Sequence, residues 1–247
     1  METIQVLMVV VVFALAGGVK GITGMGLPTV AMSLLGLWMP PAQAAALLVI
    51  PSLATNVAQC RGPHLRQLGE RLWPGWLAIA LVTAFAPGIG GTAPADAASL
   101  WLGGVLVVYG LWGLWRPTLP DLSDSGRWVG AIVGLATGLV TSLTAVFVLP
   151  WVPYLQSLRL DKDATVQALG LSFTVATLAL AFRLQASAQA EWMSASTAMA
   201  LGGALVGAFV GLKLGEKLRG RLAGPAFQQA LFLVFVALGT TNLARAL

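Results

Sequence analysis

The chain has 247 residues, of which 57% are hydrophobic and 9% charged, with 14 Lys+Arg against 9 Asp+Glu. Ordinary globular domains carry charge on about a quarter of their residues, so this composition leaves too little polar material to cover a water-facing surface. The positive excess sits in short tracts between apolar runs, which reads as an orientation signal and not as a nucleic-acid footprint.

At about 20 apolar residues per crossing, this length accommodates roughly eight to ten spans in one bundle. Apolar stretches bounded by charges, Pro and Gly mark segments at 3–20, 27–38, 42–59, 72–90, 97–115, 127–142, 145–157, 163–182, 191–213 and 225–244. The first ends in Ala14-Leu15-Ala16, as a secretory signal does, but only Glu2 precedes its apolar run, so it reads as a retained membrane helix. Segments 27–38 and 145–157 are too short to cross about 30 Å of hydrocarbon as regular helices at about 1.5 Å per residue. Each either crosses fully or returns beside its predecessor as a re-entrant hairpin.

Alternating segments with both termini outside place Lys20, Arg61, Arg66, Arg71, Arg116, Arg127, Arg159, Lys162, Lys213, Lys217, Arg219 and Arg221 on the inside. Only Arg183 and Arg245 fall outside, the asymmetry expected of cytoplasmic loops in a bacterial inner-membrane protein. The hairpin alternative moves only Lys20. Trp38, Trp73, Trp76, Trp112, Trp115, Trp128 and Trp192 lie near proposed helix ends, at headgroup level; Trp151 does not.

The pattern of segment lengths repeats. A medium segment, a short one that carries or follows a proline, and three longer ones occur in 3–115 and again in 127–244. Five segments per unit is an odd number, so the second copy lies inverted relative to the first. The expected fold is all-α: a polytopic transmembrane bundle forming one domain over 1–247, with two inverted five-segment repeats and an interrupted helix in each. It contains either eight full spans plus short re-entrant helices or ten segments. Transporters of this architecture place substrate near the midplane, at the repeat interface.

The first interruption, from Gly17 to Pro28, holds five glycines and a proline. These residues destabilise a helix and free backbone amides that need a partner inside a membrane. A helix restarting near Gly26, with Pro28 in its first turn, would aim its amides and dipole at the break and favour an anion. Candidate substrate contacts here are Gly21, Thr23, Gly24, Gly26 and Pro28. In the second interruption hydroxyls replace glycines: Thr141, Ser142 and Thr144 either donate to an oxyanion or bond back to their own helix carbonyls.

The segments that follow the breaks carry Pro51-Ser52-Leu53-Ala54-Thr55-Asn56 and Ser172-Phe173-Thr174-Val175-Ala176-Thr177. Ser52, Thr55 and Asn56 share a helix face, so Ser52 and Asn56 join the candidates, with interhelical hydrogen bonding as the competing use. Lys20 either counters an anion's charge or snorkels to the inside surface.

Two glycine ladders, Gly130-Gly134-Gly138 and Gly203-Gly207-Gly211-Gly215, signal close helix packing within the bundle or across a homodimer interface. No glycine-rich phosphate loop with a downstream Lys-Ser or Lys-Thr occurs, so ATP hydrolysis is not encoded. Cys60 and His64 stand alone, so no intramolecular disulfide, metal site or catalytic constellation is expected, and no cofactor. The acids Glu2, Glu70, Asp96, Asp121, Asp124, Asp161, Asp163, Glu191 and Glu216 all fall in loops or near helix ends, which leaves no buried carboxylate for a proton relay. The expected partners are a small anionic substrate and membrane lipid, and not nucleic acid.

Three stretches carry a family resemblance: Gly24-Met25-Gly26-Leu27-Pro28, Leu37-Trp38-Met39-Pro40-Pro41-Ala42-Gln43-Ala44, and Leu158-Arg159-Leu160-Asp161-Lys162-Asp163-Ala164. Together with length and duplication, they resemble the sulfite exporter TauE/SafE family over most of the chain. The resemblance implies transport of sulfite, small organosulfonates or related sulfur anions across the cytoplasmic membrane, commonly as export, with the two breaks as the substrate site. Members of that family usually carry a glycine-rich run in the second break too, where this chain has Ser142-Leu143-Thr144-Ala145-Val146-Phe147. The readings that compete with an anion carrier are a carrier of a metal ion and a non-transporting accessory subunit.

Overall fold

The computed structural model describes residues 3–89, 95–115, 118–186, 195–222 and 224–246, without the side chains of 95, 96 and 195–197. Glu2, Arg116, Glu191 and Trp192, and the side chain of Asp96, lie outside the described residues. The described residues form α1 (Thr3–Thr23), α2 (Leu27–Leu35), α3 (Pro41–Gln59), α4 (Leu65–Phe85), α5 (Ala95–Trp115), α6 (Arg127–Thr144), α7 (Trp151–Ser157), α8 (Lys162–Ala186), α9 (Ala195–Leu222) and α10 (Pro225–Ala246).

Among these, α1, α3, α5, α6, α8, α9 and α10 are long and apolar enough to cross a membrane. α4 is equally long but begins at Leu65, not at 72, and takes in Arg66, Glu70 and Arg71. α9 runs on to Leu222 and takes in Lys213, Glu216, Lys217, Arg219 and Arg221, where the apolar run suggested an end at 213. The charges mark the edge of the hydrocarbon; the helix continues beyond it because backbone pairing is as favourable in water-facing turns. Trp73 and Trp76 consequently lie inside α4, and the Trp76 indole donates to Ser172 Oγ at 2.8 Å.

The lipid-facing surface is apolar. Ile4, Leu7, Val11 and Leu15 recur at helical spacing on the exposed face of α1, and Trp128, Ile132, Leu135 and Leu139 on that of α6. Polar side chains are turned inward: Lys20, Ser52, Thr55, Asn56, Thr141, Ser142 and Thr177 are all buried.

α1 packs along α9, α4 along α6, α5 against α10 and α3 against α8. Exchanging the first five helices for the last five maps this set onto itself, the pattern that a duplicated five-helix unit produces. Both glycine ladders serve packing inside the bundle. A Cβ on Gly211 would come within 1.9 Å of the Ala14 carbonyl oxygen, and one on Gly134 within 2.4 Å of that of Gly75. With no side chain between them, α1 and α9 run side by side in the same direction, as do α4 and α6.

The interruptions follow long helices. α1 has 21 residues and α6 has 18, about 31 and 27 Å at the usual helical rise. Each break therefore follows a nearly full-length helix and lies toward one face of the bundle. The first is short, three residues with Gly24 and Gly26 at φ 84 and 97, a conformation that favours glycine. In the second, residues 145–150 are not helical and only Trp151–Ser157 forms a turn of helix, where 145–157 had read as one short segment. Pro150 disfavours the helical conformation in its predecessor and stands as the N-cap, so the helix starts after it.

Gly211→Leu is expected to lower the stability of the detergent-solubilised protein by at least about 2 kcal/mol, because overpacking must push α1 and α9 apart. Gly202→Leu in the same helix, where a Cβ meets nothing within 4 Å, is expected to leave thermal unfolding unchanged.

Candidate functional site

Lys20 occupies the last turn of α1 and does not snorkel; it is 1% exposed. Its ammonium donates to Thr55 Oγ1 at 3.1 Å and, in a short contact, to Asn56 Oδ1. Asn56 Nδ2 donates to Ser52 Oγ at 3.3 Å. Thr177 commits its proton to the Phe173 carbonyl at 2.6 Å, so in the 3.2 Å contact between Ser52 Oγ and Thr177 Oγ1 the serine is the donor. One directed chain thus runs from Lys20 through Asn56 and Ser52 on α3 to Thr177 on α8, joining the two halves of the bundle.

The sequence of α3 prepares this face. Pro51 cannot donate to the preceding turn, and Thr55 Oγ1 donates to the Pro51 carbonyl at 2.8 Å, leaving its lone pairs to accept from Lys20. Both partners of the ammonium are neutral. Among the described residues every buried polar or charged side chain is neutral or cationic, and none is a carboxylate.

The first break lies one step from this chain. Gly24 N–H donates to the Lys20 carbonyl at 2.7 Å, and Thr23 Oγ1 binds the carbonyls of Val19 and Met25 at 2.9 and 2.7 Å. Gln59 Nε2, from the end of α3, donates to the Gly24 carbonyl at 2.8 Å, while its buried Oε1 has no partner. Gly26 caps α2, with Pro28 in the first turn as expected. The first amides of α2 lack partners within the helix, and the Thr29 hydroxyl in that same turn is fully buried and unpartnered. Gly21 is a packing residue, with α9 backbone where its Cβ would be, and its carbonyl accepts from Arg219 Nε at 2.9 Å.

The structure therefore brings Lys20, Ser52 and Asn56 together and places Thr23, Gly24, Gly26 and Pro28 at the adjoining break. Thr141, Ser142 and Thr144 stand apart from that chain. Thr141 donates to the Thr137 carbonyl at 2.7 Å, Ser142 to that of Leu139 at 2.8 Å and Thr144 to that of Val140 at 2.7 Å. These are the back-bonds that hydroxyls make in membrane helices, so their protons are not free for an oxyanion in this conformation.

The second break is closed by the turn after α4. Ile89 N–H donates to the Ser142 carbonyl at 2.7 Å, Ser142 Oγ also donates to the Pro87 carbonyl at 3.2 Å, and a Cβ on Gly88 would strike Ser142. Arg183, which charge placement had assigned to a loop, is buried in α8. It donates to the carbonyls of Ile89 at 2.6 Å and Thr83 at 3.4 Å, and to that of Ala86.

A family model described as sulfite exporter TauE/SafE matches residues 9–241. The chain belongs to the sulfite exporter TauE/SafE family. No curated protein and no solved structure matches it. Membership makes the chain a multi-pass membrane transporter, and in this TauE/SafE protein the matched region contains both breaks and the Lys20 chain. Sequence reasoning passed over Thr177, Gln59 and Thr29 as contacts; the hydroxyl-rich run 172–177 was the visible signal for the first, and a glutamine closing an apolar segment for the second.

The two buried cations among the described residues predict opposite outcomes. Arg183→Met strips three carbonyls of their donor and is expected to cost about 2 kcal/mol or more in thermal unfolding. Lys20→Met removes a desolvated charge held only by neutral groups and is expected to cost clearly less; a larger loss at Lys20 would mark it as a structural residue.

Proposed function

We propose that this TauE/SafE protein is a secondary carrier of a small sulfur-containing oxyanion of the sulfite or organosulfonate type, working in export across the bacterial inner membrane. The observation that carries this reading is Lys20, a buried ammonium with two neutral partners. Burying an unpaired charge costs several kcal/mol, and a charged group kept inside a membrane bundle marks a pathway. An anion supplies the missing charge, and the first turn of α2 offers it amides and the unpartnered Thr29 hydroxyl. A buried ammonium repels a cation, and the described residues hold no buried carboxylate to offset it, which favours anionic cargo.

Orientation follows from the cations. Arg61, Arg66, Arg71, Arg127, Arg159, Lys162, Lys213, Lys217, Arg219 and Arg221 occupy helix ends or loops that group with the C-terminus of α1 and the N-termini of α4, α6, α8 and α10. By the positive-inside rule that face is cytoplasmic and both termini are outside.

Proteoliposomes containing the protein are expected to show saturable uptake of radiolabelled sulfite, competed by a small sulfonate; absence of flux for every sulfur anion with folded protein would overturn the assignment. Lys20→Met is expected to abolish that flux. Asn56→Asp places a carboxylate where the cargo's charge belongs, so flux should fall at least about tenfold, while the new ion pair leaves the fold intact. Unimpaired flux in Asn56→Asp would count against Lys20 as the binding cation.

A further inference from the structure

Lys20 is sealed from water, so an anion must reach it by a route through the surrounding helices. A cavity of about 570 Å³ ends at the first break. Thr23, Gly24 and Met25 form its inner wall, and Lys162 at the start of α8, Thr165 one turn on and Arg219 near the end of α9 stand around it. The volume exceeds the needs of a few-atom oxyanion and leaves room for its hydration shell, with Lys162 and Arg219 as the cations that face it. Space opens directly at Gly24, where a Cβ would meet nothing within 4 Å.

We propose that this cavity is the loading vestibule for the oxyanion. Lys162 and Arg219 concentrate the ion at its mouth, and Gln59 is the side chain it must displace to pass from the vestibule to Lys20. The inference rests on the carrier reading above and adds the entry side, the cations of the mouth and the gate.

Gln59 fits this role on three observations. Its amide nitrogen ties α3 to the Gly24 carbonyl on the cavity wall, its oxygen is buried without a partner, and Asn56, the ammonium's ligand, lies one turn earlier on the same helix. Withdrawal of Gln59 breaks one hydrogen bond and opens the wall between the cavity and Lys20. At the other face the second break is held shut by the Ser142 and Arg183 contacts to the turn Ala86–Ile89. Among the described residues, the cavity at the first break thus lies on the cationic face, while contacts to the turn after α4 close the second break.

Lys162 is the residue to test, because it is exposed and the wall does not depend on it. In proteoliposomes with the cationic face toward the labelled sulfite, Lys162→Gln is expected to raise the half-saturating concentration about fivefold and flatten its dependence on ionic strength. The maximal rate should stay as in the parent. Gln59→Ala is expected to raise the maximal rate without altering the half-saturating concentration in the same direction. An unchanged half-saturation and salt dependence in Lys162→Gln, with the parent transporting normally, would overturn the vestibule and leave the carrier intact. No transport by the parent would overturn the carrier itself. A phospholipid headgroup shares the anion's chemistry, so the assay is run in neutral and in phosphatidylglycerol-containing vesicles. The proposal expects the Lys162→Gln effect in both; an effect confined to the anionic vesicles assigns the cavity to lipid and overturns it.

Discussion

A charge taken into a membrane bundle has to be met by other charges or by dipoles, and much of this structure is arranged around one such charge. Lys20 is not paired with a carboxylate, so the helices around it supply hydroxyls, an amide and peptide dipoles instead. The two oxygens that accept from it sit on α3, and Ser52 carries the chain on to Thr177 of α8, one of the contacts between the two halves of the bundle. The glycine-packed pairs α1–α9 and α4–α6 hold the flanks close enough for this to happen. Large side chains on those faces would move the end of α1, and with it the ammonium, away from Asn56.

The two cations buried in the bundle show how surroundings decide a role. Arg183 spreads its fork over three carbonyls at the end of α4, which is what a planar guanidinium does best, and fixes a turn. Lys20 offers a compact point charge on a flexible stem to two neutral oxygens, an arrangement that another acceptor can rearrange. The first break is likewise loose and glycine-lined, while the second is stitched by back-bonded hydroxyls and plugged by a turn. Among the described residues, the two breaks thus differ in this conformation: a cavity reaches the first, and a turn closes the second.

Much of this was legible in the sequence, for definite reasons. Hydrophobic length gave the long helices, and glycine with proline gave the first break, because these are local properties of the chain; the second break was placed at 137–144, which the structure keeps helical, and lies at 145–150. The start of α4 was misplaced since Arg66, Glu70 and Arg71 signal the water boundary, and hydropathy cannot tell a helix that leaves the membrane from one that stops. The fate of Lys20 was not legible, because its partners lie 35 and 36 residues away. Thr141 and Ser142 were identified by type, but a hydroxyl's partner depends on rotamer and neighbours, and theirs proved to be their own helix.

The polar chain across the core is not itself a path for protons. Proton relay along a wire requires each member to accept a proton on one side while releasing one on the other. Asn56 interrupts any such relay, since its amide does not exchange roles in this way, and the last hydroxyl ends on the Phe173 carbonyl, which has nothing to release. The row of hydrogen bonds is therefore an insulator for protons even though it spans both halves of the protein.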